Sequence, residues 1–152
     1  MRVWEDDEQA TRFLNVDVDV WSRSSVQAVV DALGTKVFVH HVGLEGNEYG
    51  AHFSCARSYD KDVDTLTRQL AGLVKKPPRA RKAWDKARVR DFNVGIRGGI
   101  RPSSLEFAIK TETVKLVAEV GGRIVITAYA AQAKQAEHGE SLRKRRGRPT
   151  TR

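Results

Sequence analysis

Four side chains able to bind a metal or move a proton fall close together in the chain: His40, His41, His52 and Cys55. Val37 to Val42 and Tyr49 to Arg57 read as two strands joined by the turn residues GLEGN, which makes a hairpin. With the turn centred on Gly46-Asn47, His41 faces His52 across the ladder. The same register puts His40 and Cys55 on the opposite face with Phe38 and Phe53, and a slip of one residue would exchange the faces. Neither face then gathers the three or four ligands that a zinc site uses. No base and orienting third group stand near Cys55 to make it a nucleophile. Asp17 and Asp19 form a carboxylate pair of the type used in acid–base or metal work. The alternation in FLNVDVDVW, however, assigns them to the wet face of a strand. Gly95, Gly98 and Gly99 in VGIRGGIRP suggest a phosphate cradle, but no helix follows directly, and a hairpin turn accounts for them better. Arg97 and Arg101 flank that turn, where they can grip an anion. No catalytic residue, metal site or cofactor is expected from these groups.

The basic residues point elsewhere. Net charge is +8, and the last ten residues, RKRRGRPTTR, hold six cations and no acid, so the rest of the chain is only +2. Partner arguments from charge therefore attach to the tail first. Within it, Arg146-Gly147-Arg148-Pro149 resembles the R-G-R-P core of an AT-hook, an element that lies in the minor groove of A·T-rich DNA. Glycine lets the backbone sit deep in a narrow groove, and two extended arginines follow the floor where the potential is most negative. Arg143, Lys144 and Arg145 would neutralise phosphates and release counterions. The AT-hook pattern has a proline before its first arginine; here Arg145 stands there. A second basic stretch, Lys75 to Arg90, includes Arg79, Arg81, Lys82 and Lys86 around Trp84. Cations interleaved with an aromatic suit single-stranded nucleic acid; the competing reading is a solvated connector with Trp84 as its core anchor.

These groups need elements to position them. Phe13 to Trp21 alternates as a strand with one dry face. Ser24-Ser25 precedes Val26, Val29, Val30 and Leu33, with Gly34 as a stop, which is one face of a capped helix. Asp62 can cap a second helix carrying Val63, Leu66, Leu70, Leu73 and Val74, ended by Pro77-Pro78. Residues around Ala83 and Trp84 suggest a helical turn. Phe92, Val94 and Ile96 alternate as a strand, and Leu105, Phe107 and Ile109 begin another. Thr111 can cap a helix that Gly121-Gly122 closes, before the β-branched run Arg123 to Tyr129. SSVQAVVDALGTKVFV and ETVKLVAEVGGRIVIT share an order of cap, helix, glycine and strand, which is a weak internal echo. At 152 residues the chain suits one domain. No apolar run approaches the length of a membrane helix. The acidic N-terminus, MRVWEDDEQATR, is not expected to act as a signal peptide. A single cysteine fits a reducing cytoplasm.

Two stretches, FNVGIRGGIRPSSLEFAIKTETVKLVAEVGGRIVITAY and the leucine-rich DTLTRQLAGLV, carry a resemblance to an uncharacterised bacterial domain-of-unknown-function family, covering about residues 13–129. The resemblance implies a ferredoxin-like α+β domain and no catalytic residues.

The expected architecture is a polar lead-in over 1–12, one α+β domain over 13–130 and a basic extension over 131–152, partly helical and then disordered. The domain should hold an antiparallel or mixed sheet of about six strands with three helices on one face, ferredoxin-like. Its core should centre on Leu14, Val16, Val18, Val29, Leu33, Phe53, Leu66, Leu70, Phe92, Val94, Ile96, Leu105, Phe107, Val117, Ile124 and Ile126. The expected function is that of a non-enzymatic DNA-associated protein acting through Arg143, Lys144, Arg145, Arg146, Gly147, Arg148 and Pro149, with no membrane partner. Arg79, Arg81, Lys82, Trp84 and Lys86 form a possible secondary patch. The alternative is a protein-interaction module, such as a bacterial or phage accessory or toxin-neutralising factor.

Overall fold

A computed structural model describes residues 10–131. Five strands form one mixed sheet: β1 (Arg12–Ser22), β2 (Val37–Glu45), β3 (Glu48–Cys55), β4 (Val89–Arg97) and β5 (Arg123–Tyr129). Their spatial order is β2-β3-β1-β4-β5. All pairings are antiparallel except β4 with β5, which run parallel. Four helices connect them: α1 (Gln27–Leu33), α2 (Val63–Lys75), α3 (Pro78–Asp85) and α4 (Thr111–Glu119). Among the described residues no helix is long and apolar enough to cross a membrane.

One sheet face meets the helices. Val16, Val18, Val20, Phe53, Phe92 and Val94 share a buried cluster with Val29 and Leu33 of α1, Leu66, Leu70 and Val74 of α2, and Val117 of α4. The period-two pattern of the strands and the period-3.6 pattern of the helices bury these residues together. Asp62 caps α2 by accepting the Thr65 N–H at 2.7 Å. Gly46-Asn47 is the two-residue turn between β2 and β3, with Gly46 at φ 60°, a conformation that favours glycine. Pro78 opens α3 immediately after α2 ends, where its missing N–H costs nothing.

Several expectations are corrected. The sheet has five strands, because Leu105–Ile109 joins no ladder. Both edges of β4 are already taken, by β1 and by β5, so a hairpin partner after Gly98-Gly99 has no edge to occupy. Phe107 and Ile109 instead lie against the core while the backbone runs extended. A fourth helix arises because the segment around Trp84 completes two turns rather than one. Thr111 is the first residue of α4 and not its cap. The cap position is Lys110, whose N–H is taken at 2.8 Å by the buried Asp64 of α2. Leu14, Leu105 and Ile126 are exposed rather than core. Leu14 sits at a bulge between Phe13 and Asn15, and Ile126 lies on the edge strand β5. The two echoing segments also differ in place. The β4-α4-β5 strands are neighbours, whereas β3 lies between β1 and β2.

Candidate functional site

The basic connector resolves into paired and unpaired cations. Arg81 donates to Asp85 at 2.8 Å and to the Glu119 carbonyl at 3.2 Å. Lys75 bonds Glu119 at 2.7 Å, and Arg88 grips Glu48 with two nitrogens at 3.0 and 2.8 Å. That fork pulls the exposed Glu48 carboxyl below its ordinary range. Arg90 lies 3.8 Å from Asp85, and among the described residues Lys76, Arg79, Lys82 and Lys86 have no ion-pair partner; the last three border a groove. Their i, i+3, i+7 spacing places them on one side of α3. With Ser24, Ser25, Ala28 and Ala83 they line an open groove of about 490 Å³ between α1 and α3. Asp31, tied to Gln27 at 2.8 Å, lines a smaller neighbouring hollow with Arg79.

Trp84 is not part of this surface. It is fully buried, its ring meets Phe92 edge-on at 6.0 Å, and its indole N–H donates to the Val120 carbonyl at 2.6 Å. It is the core anchor, and it cannot stack on a base. Of the five residues of the expected secondary patch, Arg79, Lys82 and Lys86 line the groove, whereas Trp84 is buried and Arg81 is engaged by Asp85 and Glu119. Ser24 and Ser25, in the loop before α1, complete the groove with Ala28 of α1, a juxtaposition that nothing in the local sequence signals. The tail residues Arg143, Lys144, Arg145, Arg146, Gly147, Arg148 and Pro149 lie outside the described residues.

The glycine loop after β4 is no phosphate cradle either. Gly98 N–H donates to the Tyr129 carbonyl at 2.7 Å and Gly99 N–H to the Thr11 hydroxyl at 3.1 Å, so both amides already have partners. A Cβ at Gly98 would lie 2.9 Å from the Tyr129 oxygen, which explains the glycine by close backbone approach.

The histidines are arranged differently from the simple register. His41 does face His52, but a bulge between Val39 and His41 shifts the other half of the hairpin by one residue. Phe38 now pairs with Ser54, and His40 reaches Ser54 Oγ at 3.0 Å and Asp17 Oδ1 at 3.6 Å. His40, His41 and His52 thus lie on the sheet face away from the helices, while Phe53 and Cys55 stay on the core face. His52 Nδ1 bonds Asp19 at 2.7 Å, and His41 Nε2 lies 3.0 Å from Glu45. Across the sheet His41, His52, Asp19, Asp91 and Arg123 stand in one row. Asp19 and Asp91 are directly opposed like charges, a costly pairing that His52 and the two-nitrogen Arg123–Asp91 fork relieve.

This grouping has the residue types of a catalytic site without its geometry. Ser54 and Asp17 approach the same nitrogen of His40, whereas a relay needs one partner on each ring nitrogen. Ser54 is also buried. Burial raises the Asp17 carboxyl above its ordinary value, with His40 working in the opposite direction. Among the described residues no group of three His, Cys, Asp or Glu side chains is placed to hold a metal ion. Cys55 is buried, and that burial pushes its thiol up, away from the reactive thiolate. Comparison with protein-family models, curated proteins and solved structures finds no match to this chain.

Proposed function

We propose that this is a non-enzymatic nucleic-acid-associated protein that engages duplex DNA with its cationic tail and with the α1/α3 groove. The observation that carries the reading is the row Arg79, Lys82 and Lys86, three cations with no acidic partner among the described residues, facing an open groove. At 1.5 Å of rise per residue the row spans roughly 10 Å, about the axial rise of three base pairs. The tail adds six cations and the AT-hook-like core Arg146-Gly147-Arg148-Pro149. The resemblance to a ferredoxin-like family is part of the same proposal. It is supported by the β2-β3-β1-β4 order and by the β1-α1-β2-β3-α2 succession, with β4-α4-β5 added at one edge. A second reading, a protein-interaction module, is favoured by the edge strand β2, which leaves Phe38 and Leu44 exposed beside unpaired backbone.

The test is a salt titration of binding to A·T-rich and G·C-rich duplexes. Each phosphate contact contributes about −0.9 to the slope of log K against log salt. Deleting residues 143–152 should remove most of the slope. Replacing Arg79, Lys82 and Lys86 together by alanine should reduce it by up to about 2.7. Tighter binding to the A·T-rich duplex supports the minor-groove mode, and equal binding leaves charge attraction alone. If the truncated chain binds as tightly as the whole, the proposal fails. One stoichiometric protein partner that survives nuclease would favour the second reading.

A further inference from the structure

The β1-β3-β2 part of the sheet face opposite the helices carries carboxylates that can receive a cationic segment, while Arg123 on the same face is engaged by Asp91, and the chain supplies such a segment. Asp17 and Asp19 lie on the central strand β1, and Glu45 closes one end. Their side chains stay 41%, 26% and 45% accessible. Asn15 and His40 meet Asp17, and His52 meets Asp19, at Oδ1, and each carboxylate has a second oxygen that can accept a guanidinium. Trp21 lies across Gly50, where a Cβ would come within 2.9 Å of its ring, and meets His52 edge-on at 5.1 Å. The exposed Phe38 flanks His40 at 5.0 Å on the same face. Carboxylates between aromatic faces attract arginine by charge and by cation–π contact.

The reach is sufficient. Tyr129, at the end of β5, is in register with Arg97 and Arg12, while Asp19 is in register with Asp91 and Arg123. From Tyr129 to Asp19 is therefore six residues along the strands and two strands across, about 22 Å at standard strand spacings. The fourteen residues from Ala130 to Arg143 span about 21 Å even as a flexible coil and more than twice that when extended.

We infer that the C-terminal segment Arg143 to Arg152 docks on its own sheet face over Asp17, Asp19 and Glu45, and that this contact competes with nucleic acid for the same arginines. The competition rests on the reading above; the docking does not. The contact holds the tail in check until a denser polyanion displaces it.

The experiment is zero-length carbodiimide coupling on the full chain at low salt, read by mass spectrometry. Lys144 is the only amine side chain of the segment. Within single molecules it should couple to Asp17, Asp19 or Glu45 in preference to the exposed Glu106 and Glu112 of the other face, and an added A·T-rich duplex should suppress the product. Asp17→Asn with Glu45→Gln should tighten duplex binding about two- to fivefold, as loss of two exposed ion pairs implies. Glu106→Gln with Glu112→Gln, which changes net charge equally, should do less. Coupling spread evenly over all carboxylates, or found only in cross-linked dimers, overturns the docking while leaving DNA binding to its own test. Coupling that forms as expected but persists under saturating duplex upholds the docking and overturns the competition.

Discussion

Replacing Trp84 by phenylalanine separates a structural indole from a nucleic-acid contact. Two losses add. The indole N–H to Val120 carbonyl bond, 2.6 Å in a fully buried setting, disappears, and the carbonyl loses that donor. Leaving a buried polar group without its partner costs about 1–3 kcal/mol. The smaller ring also leaves a void of roughly 40 Å³ beside Phe92, worth about 1 kcal/mol at the usual cavity cost. W84F should therefore destabilise the domain by about 2–4 kcal/mol. W84A loses the whole side chain, about 3–5 kcal/mol or more. Domains of this size hold about 5–15 kcal/mol in all, so W84A should be marginal or unfolded at 37 °C.

Urea unfolding at 25 °C measures the first figure, with the midpoint falling at unchanged slope. Duplex and single-strand affinity, measured where both proteins are folded, should not change. The opposite pattern would refute the reasoning. A base-stacking tryptophan would lose about 1–3 kcal/mol of binding on truncation and little stability. A stability loss below about 1 kcal/mol for W84F would show that the indole bond contributes nothing net.

Two further substitutions probe how the elements are joined. Asp64 accepts the first free amide of α4 from outside that helix, and although burial pushes its carboxyl up, the Thr113 hydroxyl beside it, the Lys110 N–H and nearby Arg68 leave it below its ordinary 3.8. Its lowered folded-state value means that its stabilisation is full above the ordinary value and is lost as pH falls through the folded one. Asp64→Asn should cost about 1 kcal/mol at neutral pH, and the gap from wild type should close in acid below about pH 4, followed by urea melts across pH; a gap that is constant down to pH 2 would contradict this. Gly98→Ala should cost about 1–3 kcal/mol through the 2.9 Å clash with the Tyr129 oxygen, while Gly95→Ala, whose nearest neighbour is at 3.6 Å, should cost less than about 1 kcal/mol; equal melting temperatures for the two variants would remove the close-approach account.

The strands and helices that stand on clear periodicity were readable without coordinates. Val16, Val18 and Val20 alternate, Leu66, Leu70 and Val74 recur at helical spacing, and both sets are buried. Punctuation was also legible: Gly46-Asn47 turns, Asp62 caps, and Gly121 closes α4 at φ 66°. What escaped depends on which neighbour takes each edge. Leu105 to Ile109 has strand composition, yet the parallel return of β5 fills the slot beside β4. A bulge is a single extra residue with no composition of its own, so the move of His40 to the acidic face was invisible. Trp84 sits among cations in sequence and among core residues in space, because only one side of α3 faces water.

That division of α3 carries over to the whole domain. Its burial pattern sends Ala80 and Trp84 inward and leaves Arg79, Lys82 and Lys86 outward beside α1. The alternation of β1 sends Val16 and Val18 to the helices and Asp17 and Asp19 to the far side. Two patterns laid down for burial thus also place two local charge groups, the cations Arg79, Lys82 and Lys86 at the groove and the carboxylates Asp17 and Asp19 on the open sheet. A near-neutral body of this kind exerts little attraction as a whole, since beyond about 10 Å salt screens what the two faces leave uncancelled. At contact range those two local groups differ in sign. On the proposed reading the tail sits on the carboxylates of the sheet, and a polyanion that binds the groove competes for the same arginines and frees it. Under that proposal the balance between the two contacts depends on salt, because screening weakens surface ion pairs and phosphate contacts by different slopes.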